Sequence, residues 1–352
     1  MNIRDIAKKA GVGVSTVSRV LNNHQDVKQS TRERVMAVIK ESNYVPNNSA
    51  RMLKQNKTNH IGILVRGVFN PLFSEMTSII GGIINDSKYT MILEQNDFTL
   101  VDDFETLQAF IKEKRLRGAI CLGGNFETVS KEQLASLEVP VILTSVNTLF
   151  TNDDIGYSSV GIDNEKAAYI AIKYLIDLGH RNIAVMIGEE NDLGISWFRL
   201  KGYRKALIEN NIEFNTNNIL VGDYNSERAY EVSREFIRNN KDVTAIFCIS
   251  DVMAIGVAKA IVDEGLIIGD DISLIGFDGM DVSKFYNPGI TTVMQPRIEM
   301  AEKSATLLLD LLDGKTQNQH IILDTKLIKR ESCKKNKNIE KRKYIWKEAQ
   351  EY

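Results

Sequence analysis

Polar and aromatic side chains that could bind a hydroxylated ligand follow several short apolar segments of residues 60–330. Carboxylates and an arginine can exchange paired hydrogen bonds with hydroxyl groups, and an aromatic ring can cover the apolar face of a sugar ring. We therefore predict a binding site for a small polyhydroxylated molecule. The residues expected there are Phe69, Asn70, Phe73, Ser145, Asp163, Trp197, Arg199, Asp251 and Asp278.

Structural roles compete with ligand contact at three of these positions. Asp251 is better explained as the cap of a helix that begins near Met253, because aspartate is a favoured N-cap residue. Phe73 and Trp197 are equally compatible with places in the hydrophobic core. Ligand contact is the favoured interpretation for Arg199 and Asp278.

Catalytic and metal chemistry find little support. The four histidines are His24, His60, His180 and His320. None has the partner spacing of a metal site or of a catalytic triad. The three cysteines are far apart and form no C-x-x-C pair, and the chain has no run of 18 apolar residues. We expect a reduced, cytoplasmic protein without a membrane span, a metal or a cofactor, and not an enzyme.

Charge is distributed unevenly along the 352 residues, although the formal net charge is only -2. Residues 1–60 contain 11 Lys or Arg against 4 Asp or Glu, and residues 334–352 contain 7 against 3. The remaining 26 basic and 39 acidic residues lie in the stretch between them. A basic end attached to an acidic body indicates a segment that binds a polyanion and a body with another task.

Three short helices are predicted in the basic N-terminal segment, over Ile3–Ala10, about Val14–Asn22 and Thr31–Ser42. Asn2 is a suitable cap for the first helix, and Ser30 with Glu33 has the spacing of a capping box for the third. Gly11 and Gly13 leave room only for a tight turn between the first two helices. Two short helices joined in this way form a helix-turn-helix, whose second helix enters the DNA major groove.

The sequence resembles the lactose-repressor (LacI/GalR) family of bacterial transcriptional regulators. The resemblance rests on D-I-A-K-K-A-G-V-G-V-S-T-V-S-R-V-L-N at 5–22, T-R-E-R-V at 31–35 and N-Y-V-P-N at 43–47. In the body it rests on S-W-F-R-L-K-G-Y at 196–203, S-D-V-M-A-I-G at 250–256 and I-G-F-D at 275–278. One departure is Gly13, where the family usually has Ser, and we expect only a slightly weaker helix start because Gly is an acceptable N-cap.

The resemblance implies which residues of the head contact DNA. Val14, Ser15 and Arg19 hold the base-reading positions, and an arginine at such a position can bind guanine O6 and N7 together. A surface salt bridge is the competing interpretation for Arg19. The expected phosphate contacts are Ser18, Asn22 and Thr31. The resemblance also implies a hinge helix in the minor groove, formed by residues that include Asn47, Ala50 and Leu53, with Leu53 wedged between base pairs.

The body alternates short apolar runs with amphipathic helical patterns, which predicts parallel sheets covered by helices on both faces. The number of units favours two similar halves. The expected architecture is an all-α head followed by an α/β body of two doubly wound subdomains like those of periplasmic binding proteins. We place the head at 1–45, the hinge at 46–59 and the body at 60–333. Its halves are expected at about 60–159 plus 291–320 and about 160–290 plus 321–333, and a basic tail follows at 334–352.

The predicted function is that of a ligand-responsive, sequence-specific repressor of carbohydrate uptake or catabolism. A homodimer is expected to bind a pseudo-palindromic operator and to respond to a sugar or sugar phosphate between the body halves. One alternative is a catabolite-control regulator whose signal is a phosphorylated carrier protein. Another is a sugar-binding or sugar-modifying protein of the same body fold. The role of the tail stays open between a solvated helix, a partner contact and an extra DNA contact.

Overall fold

A computed structural model describes residues 2–21, 24, 26–42, 44, 58–67, 70–96, 102–146, 156–190, 192 and 194–336. The chain divides into two compact units, and the boundary along the sequence falls between Thr58 and Asn59. We call the described part of the first unit the head and that of the second unit the body. No helix in these ranges is long and apolar enough to cross a membrane.

The head consists of three helices around a small core. They are α1 (Ile3–Ala10), α2 (Val14–Leu21) and α3 (Gln29–Glu41). Asn2 caps α1 as predicted, in a capping box with Asp5. The predicted box of Ser30 and Glu33 is wrong: α3 begins two residues earlier than expected, its cap position is Lys28, and no side chain caps it. The apolar face of α3 packs on the head core through the buried side chain of Val35.

The body contains twelve strands. They are β1 (His60–Arg66), β2 (Thr90–Asn96), β3 (Gly118–Leu122), β4 (Val141–Thr144), β5 (Ser158–Ile162), β6 (Ile183–Ile187), β7 (Ile219–Val221), β8 (Ala245–Cys248), β9 (Ser273–Asp278), β10 (Thr291–Met294), β11 (His320–Leu323) and β12 (Lys326–Ile328). Nine α-helices and one 3₁₀ helix (Thr216–Asn218) complete the described body. The α-helices are α4 (Pro71–Asn85), α5 (Asp103–Lys114), α6 (Lys131–Ala135), α7 (Asn164–Asp177), α8 (Ile195–Glu209), α9 (Ser226–Asn239), α10 (Asp251–Asp263), α11 (Asp281–Phe285) and α12 (Arg297–Leu312).

The strands form two six-stranded sheets, which confirms the predicted pair of doubly wound halves. The first sheet has the order β11-β5-β4-β3-β1-β2 with every pair parallel. The second has the order β12-β10-β9-β8-β6-β7, and only its edge strand β12 is antiparallel. The central strands are buried along their whole length, because helices cover both faces of each sheet.

The division between the halves differs from the prediction at three places. Residues 160–162 and 321–323 belong to the first sheet, through β5 and β11, and 291–294 belong to the second sheet as β10. We therefore define the first lobe as 59–162 with 297–323, and the second lobe as 164–294 with 326–336. The predicted boundaries followed the order of the elements along the chain. The lobe to which a short strand belongs is decided instead by the strand with which it pairs.

Candidate functional sites

The exposed face of α2 carries the predicted base-reading side chains. Val14 has 41% of its surface exposed, and Ser15 and Arg19 are also exposed. Val17 and Val20 lie on the opposite face and are buried in the head core. This division follows from the helical period, which puts apolar residues three apart on one face. The helix therefore presents a polar surface of short side chains with one arginine.

Arg19 makes an ion pair in the head. Its Nη1 lies 3.2 Å from Oδ2 of Asp26, and both side chains are more than half exposed. Ion pairs of this exposure stabilise a protein by about 0–1 kcal/mol. The guanidinium can therefore leave Asp26 for a base or a phosphate at little cost.

The remaining predicted DNA contacts are placed only in part. Ser18 and Thr31 are both half-buried at the head surface. Five predicted positions of the head, the hinge and the ligand site lie outside the described residues: Asn22, Asn47, Ala50, Leu53 and Phe69. Their roles stay predictions.

A cavity of about 90 Å³ lies between the two lobes, where the carboxyl ends of both sheets face each other. This volume accepts several water-sized groups. Open α/β sheets bind ligands at this end of their strands. Five predicted ligand residues line the cavity: Asn70, Phe73, Ser145, Arg199 and Asp278.

Asp278 ends β9 and is buried, with 2% of its surface exposed. Its Oδ1 accepts a hydrogen bond of 2.7 Å from Nε2 of Gln295, and its Oδ2 accepts one of 3.2 Å from Nδ2 of Asn70. Burial raises the pKa of this carboxyl, while the nearby Arg199 guanidinium acts to lower it. The backbone has φ of 110° here, a left-handed conformation that is strained in a residue with a side chain. Such strain is common where a side chain must point into a site.

Arg199 is held rigidly on the other side of the cavity. Its Nε donates to Oδ1 of Asn164 at 2.9 Å, its Nη1 donates to the carbonyl of Ile249 at 2.5 Å, and its guanidinium lies 3.5 Å from the ring centre of Phe277. Burial lowers its pKa, and the Asp278 carboxylate opposes that effect. Arg199 lies in the first turns of α8, which begins at Ile195.

Three predicted ligand residues do not line the cavity. Asp163 is exposed and caps α7 by accepting from the backbone N–H of Lys166 at 2.8 Å. Trp197 lies on the outer face of α8 with 46% of its surface exposed, so neither the ligand nor the core interpretation describes it. The helical period explains this, because Arg199 points inward from the same turn.

Asp251 is fully buried and also lies away from the cavity lining. It was expected to cap the following helix, but Ser250 is the cap, with a bond of 3.3 Å to the backbone N–H of Met253. Asp251 instead accepts from the backbone N–H of Met280 at 2.7 Å and from Oγ1 of Thr292 at 2.8 Å. It therefore positions the loop that follows Asp278.

Several lining residues were not identified from the sequence. They are Arg66, Gly67, Leu72, Gly123, Gly124, Asn125, Glu189, Asp192, Ile195, Tyr224, Ser250 and Gln295. Most of them follow the carboxyl end of a strand, a signal available in the sequence wherever the strand itself was predicted. Gly123 and Gly124 follow β3, and a Cβ at Gly123 would lie 3.0 Å from the Phe73 ring. The glycine is needed for the close approach of that ring.

Asp192 and Tyr224 form a hydrogen-bonded wall of the cavity in the second lobe. The Asp192 carboxylate accepts from the backbone N–H of Gly194 at 2.8 Å and of Ser196 at 3.0 Å. The Tyr224 hydroxyl donates to Asp192 Oδ2 at 3.2 Å, and burial raises the pKa of this phenol. These contacts fix the start of α8 and so hold Arg199 in place.

Arg297 at the start of α12 joins the two lobes beside the cavity. Its Nη1 donates to the carbonyl of Gly279 in the second lobe at 3.2 Å, and its Nε donates to Glu75 Oε2 of α4, within the first lobe, at 2.5 Å. Asn70 and Asp278, described above, form a second bond between the lobes. A change in the angle between the lobes would therefore break or rearrange these two hydrogen bonds at the edge of the cavity.

Known proteins match this chain along nearly its whole length. Residues 2–47 match the sequence profile of the bacterial regulatory proteins of the lacI family, and residues 172–333 match the periplasmic binding protein-like domain. The HTH-type transcriptional regulator MalR of Clostridium butyricum is 58% identical over 333 residues, which are 95% of this chain and 99% of that protein. Catabolite control protein A of Priestia megaterium is 32% identical over 322 residues, 92% and 96% of the two chains.

Solved structures agree with these relatives. The lac repressor dimer bound to operator and the anti-inducer ONPF superposes with a TM-score of 0.73 at 25% identity, covering 95% of this chain and 99% of that one. The complex of the transcriptional regulator CelR with cellobiose gives 0.69 at 27% identity, covering 94% and 99%. The three-helix head, the two-lobed body and these relatives lead to one conclusion: the chain belongs to the lacI family of bacterial regulatory proteins, as a DNA-binding transcriptional regulator.

Proposed function

We propose that this regulator is a repressor of carbohydrate uptake or catabolism whose operator affinity responds to a sugar or sugar phosphate bound between the lobes. The observation that supports this most is the buried pair of Arg199 and Asp278, which face one cavity at the carboxyl ends of both sheets. Buried charged groups are costly unless they serve structure or ligand. Fork-shaped donors beside carboxylate acceptors suit adjacent hydroxyl groups.

The contacts between the lobes suggest how the ligand acts. A hydroxyl that binds Asp278 competes with Asn70 of the first lobe, and the same loop carries the Gly279 carbonyl that binds Arg297. Ligand binding would therefore change the relative angle of the lobes and, through the hinge, the DNA affinity of the head. Such coupling is reciprocal, so operator DNA must weaken an inducer as much as the inducer weakens DNA binding.

The DNA partner in this proposal is a pseudo-palindromic operator bound by a homodimer. A two-fold dimer places two recognition helices on successive major-groove faces. The lac repressor relative is a dimer bound to operator, which supports the same assembly for this chain. Hinge residues 46–59 would pair in the minor groove at the centre of the operator.

Arg199→Ala tests the proposed effector site. We expect the variant to bind operator nearly as the wild type does and to lose its response to the effector, because the buried guanidinium is removed from the cavity. Thermal-shift screening against sugars, sugar phosphates and nucleosides finds the effector first, since a ligand of the folded state raises the melting temperature. Operator affinity is then measured with and without that ligand.

Lys201→Ala is the matched control, because Lys201 lies on the exposed side of the same helix in a surface ion pair with Glu165. It should keep the full response. An Arg199→Ala protein that is folded and still fully responsive would remove Arg199 from the site.

A second candidate is a regulator that a phosphorylated carrier protein controls. The 32% identity to catabolite control protein A favours this alternative over the remaining ones. It predicts that no sugar changes operator affinity, whereas a phosphorylated carrier protein does. The same binding assay, with the carrier protein in its two states as the added component, separates the candidates.

A further inference from the structure

The cavity is lined by more acidic than basic side chains. Two arginines line it, Arg66 and Arg199, against three carboxylates, Glu189, Asp192 and Asp278. A fourth carboxylate, that of the buried Asp103, forms an ion pair with Arg66.

Both arginines are already engaged by the protein. Asp103 neutralises Arg66 and also accepts from the backbone N–H of Asn125 at 2.6 Å, which fixes it in place. Arg199 donates to two protein oxygens, and Asp278 is the carboxylate that acts most strongly on its charge. Each arginine is therefore already balanced by a carboxylate of the protein.

The unsatisfied groups of the described lining include two acceptors. The Glu189 side chain accepts no hydrogen bond from the described residues, although it is half-buried at the cavity. Gln295 is 2% exposed and donates to Asp278, and its Oε1 is a buried oxygen that has no hydrogen-bond partner within the described structure. The buried Gln295 Oε1 can be satisfied by a donor from a ligand or by water, and the Glu189 carboxylate offers further acceptors to the same cavity.

We propose that the effector is an uncharged polyhydroxylated molecule without a phosphate, and that Glu189 is the residue that selects it. This inference rests on the proposed function and narrows the choice that it left between a sugar and a sugar phosphate. Hydroxyl groups donate to Glu189 and to Gln295 Oε1. A phosphate offers three acceptor oxygens and a charge of about -1.5 to -2 to a wall that already holds more acidic than basic groups.

The electrostatics of Glu189 point the same way. Burial raises the pKa of its carboxyl, Arg66 acts to lower it, and Asp192, Asp223 and Asp103 raise it further. A negative charge at this position is therefore already unfavourable. A second anion beside it meets the same repulsion.

The test uses the full-length protein and isothermal titration with matched pairs of ligands. The pairs are ribose with ribose 5-phosphate, glucose with glucose 6-phosphate, and cellobiose with cellobiose 6-phosphate, extended to other mono- and disaccharides with their phosphates. We expect the neutral member to bind at least about tenfold more tightly than its phosphate in every pair that binds. Glu189→Gln should reduce this ratio several-fold, because it removes the charge and keeps an acceptor oxygen.

The neighbouring Glu190 gives the control, because it is exposed and does not line the cavity. Glu190→Gln should leave the ratio unchanged, and operator binding without ligand shows that both variants are folded. Tighter binding of a phosphorylated member would overturn the inference while leaving the proposed function intact, if that ligand changes operator affinity. An unchanged ratio in Glu189→Gln would overturn the role of Glu189. Failure of every sugar and phosphate to bind would overturn both proposals.

Discussion

At the scale of single residues, Arg19 is the side chain of α2 best suited to base recognition. Asp26 competes with DNA for its guanidinium. Arg19→Ala should weaken operator binding by roughly 1–3 kcal/mol and relax preference at one base pair, as expected for a guanine contact. Fluorescence anisotropy with an operator selected from random duplexes, and with its single-base variants, measures both effects.

Asp26→Ala provides the comparison, because it removes the ion-pair partner at 3.2 Å and leaves Arg19 itself in place. This variant should bind operator as tightly as the wild type or more tightly. Equal weakening of all sequences by Arg19→Ala would show that Arg19 contacts phosphate only.

Asp251 gives a residue-scale prediction about pH. Burial is the largest cause that raises the pKa of its carboxyl, from 3.8 to about 7. The folded protein thus keeps a proton that the unfolded chain loses near pH 4, so the stabilisation is complete below that pH and is lost as the pH rises through about 7. Asp251→Asn stays neutral, and its amide can accept from Met280 and donate to Thr292.

The stability of Asp251→Asn relative to wild type should therefore increase between pH 4 and pH 7, by up to roughly 4 kcal/mol for a shift of about three pKa units. Urea unfolding across this pH range measures it. The exposed Asp281 of α11 supplies the control substitution Asp281→Asn, which should follow the wild type at every pH. If the stabilities of wild type and Asp251→Asn change with pH in parallel, the raised pKa of Asp251 is contradicted.

Three of the five predicted residues that line the cavity come shortly after the end of a strand or at its last residue, and their side chains point inward. They are Asn70, Ser145 and Asp278. Asp163 follows a strand as well, but its side chain turns back to cap a helix. Which way such a side chain points depends on the local backbone, and a single sequence does not contain that information.

At the scale of elements, two helix pairs of the second lobe pack with their backbones in contact. A Cβ at Gly202 of α8 would lie 2.1 Å from the carbonyl oxygen of Glu165 in α7, and one at Gly256 of α10 would lie 2.0 Å from that of Ser226 in α9. Neither contact can be relieved by a side-chain rotation, because the obstructing atoms belong to the backbone.

Gly202→Ala and Gly256→Ala should each destabilise the body by about 1–3 kcal/mol or more, the usual cost of overpacking. Gly82→Ala in α4 is the matched control, since nothing lies within 4 Å of its added Cβ. That variant should be more stable by about 0.5–1 kcal/mol, because alanine favours a helix interior. Thermal unfolding of the three variants tests this, and equal behaviour of all three would refute the close packing.

Long elements were predictable from the sequence and short ones were not. The apolar runs of β1, β4 and β6 are continuous and bounded, so the sequence itself marks these strands. The strands β7 and β12 have three residues each and lie at sheet edges, where pairing partners rather than sequence define them. The start of α8 has no capping signal in the sequence, because Gly194 occupies the cap position and no side chain caps the helix.

At the scale of the whole molecule, the separation of charge predicts how DNA binding depends on salt. The excess of basic residues lies in 1–60 and an excess of acidic residues in 61–333. Operator affinity should fall steeply with salt, by about 10³-fold or more between 50 and 200 mM if six or more phosphates are contacted. Titrations at several salt concentrations give the slope.

The isolated body, residues 59–336, is the comparison for this measurement, because it forms a compact unit separate from the head. It should show no measurable binding to duplex DNA at any of these concentrations. A body that binds DNA with a similar slope would contradict the assignment of the phosphate contacts to the head.

The chain passes between the lobes three times, after β5, after β10 and after β11. The first lobe is therefore completed only after most of the second lobe has been synthesised. When β5 leaves the ribosome, the first lobe still lacks α12 and its edge strand β11, and the whole strand set β6–β10 of the second lobe is made before they arrive. At typical elongation rates this delay is on the order of ten seconds. During that interval the nascent first lobe exposes the unpaired edge of β5 and the apolar surface that α12 later covers, and both features favour aggregation.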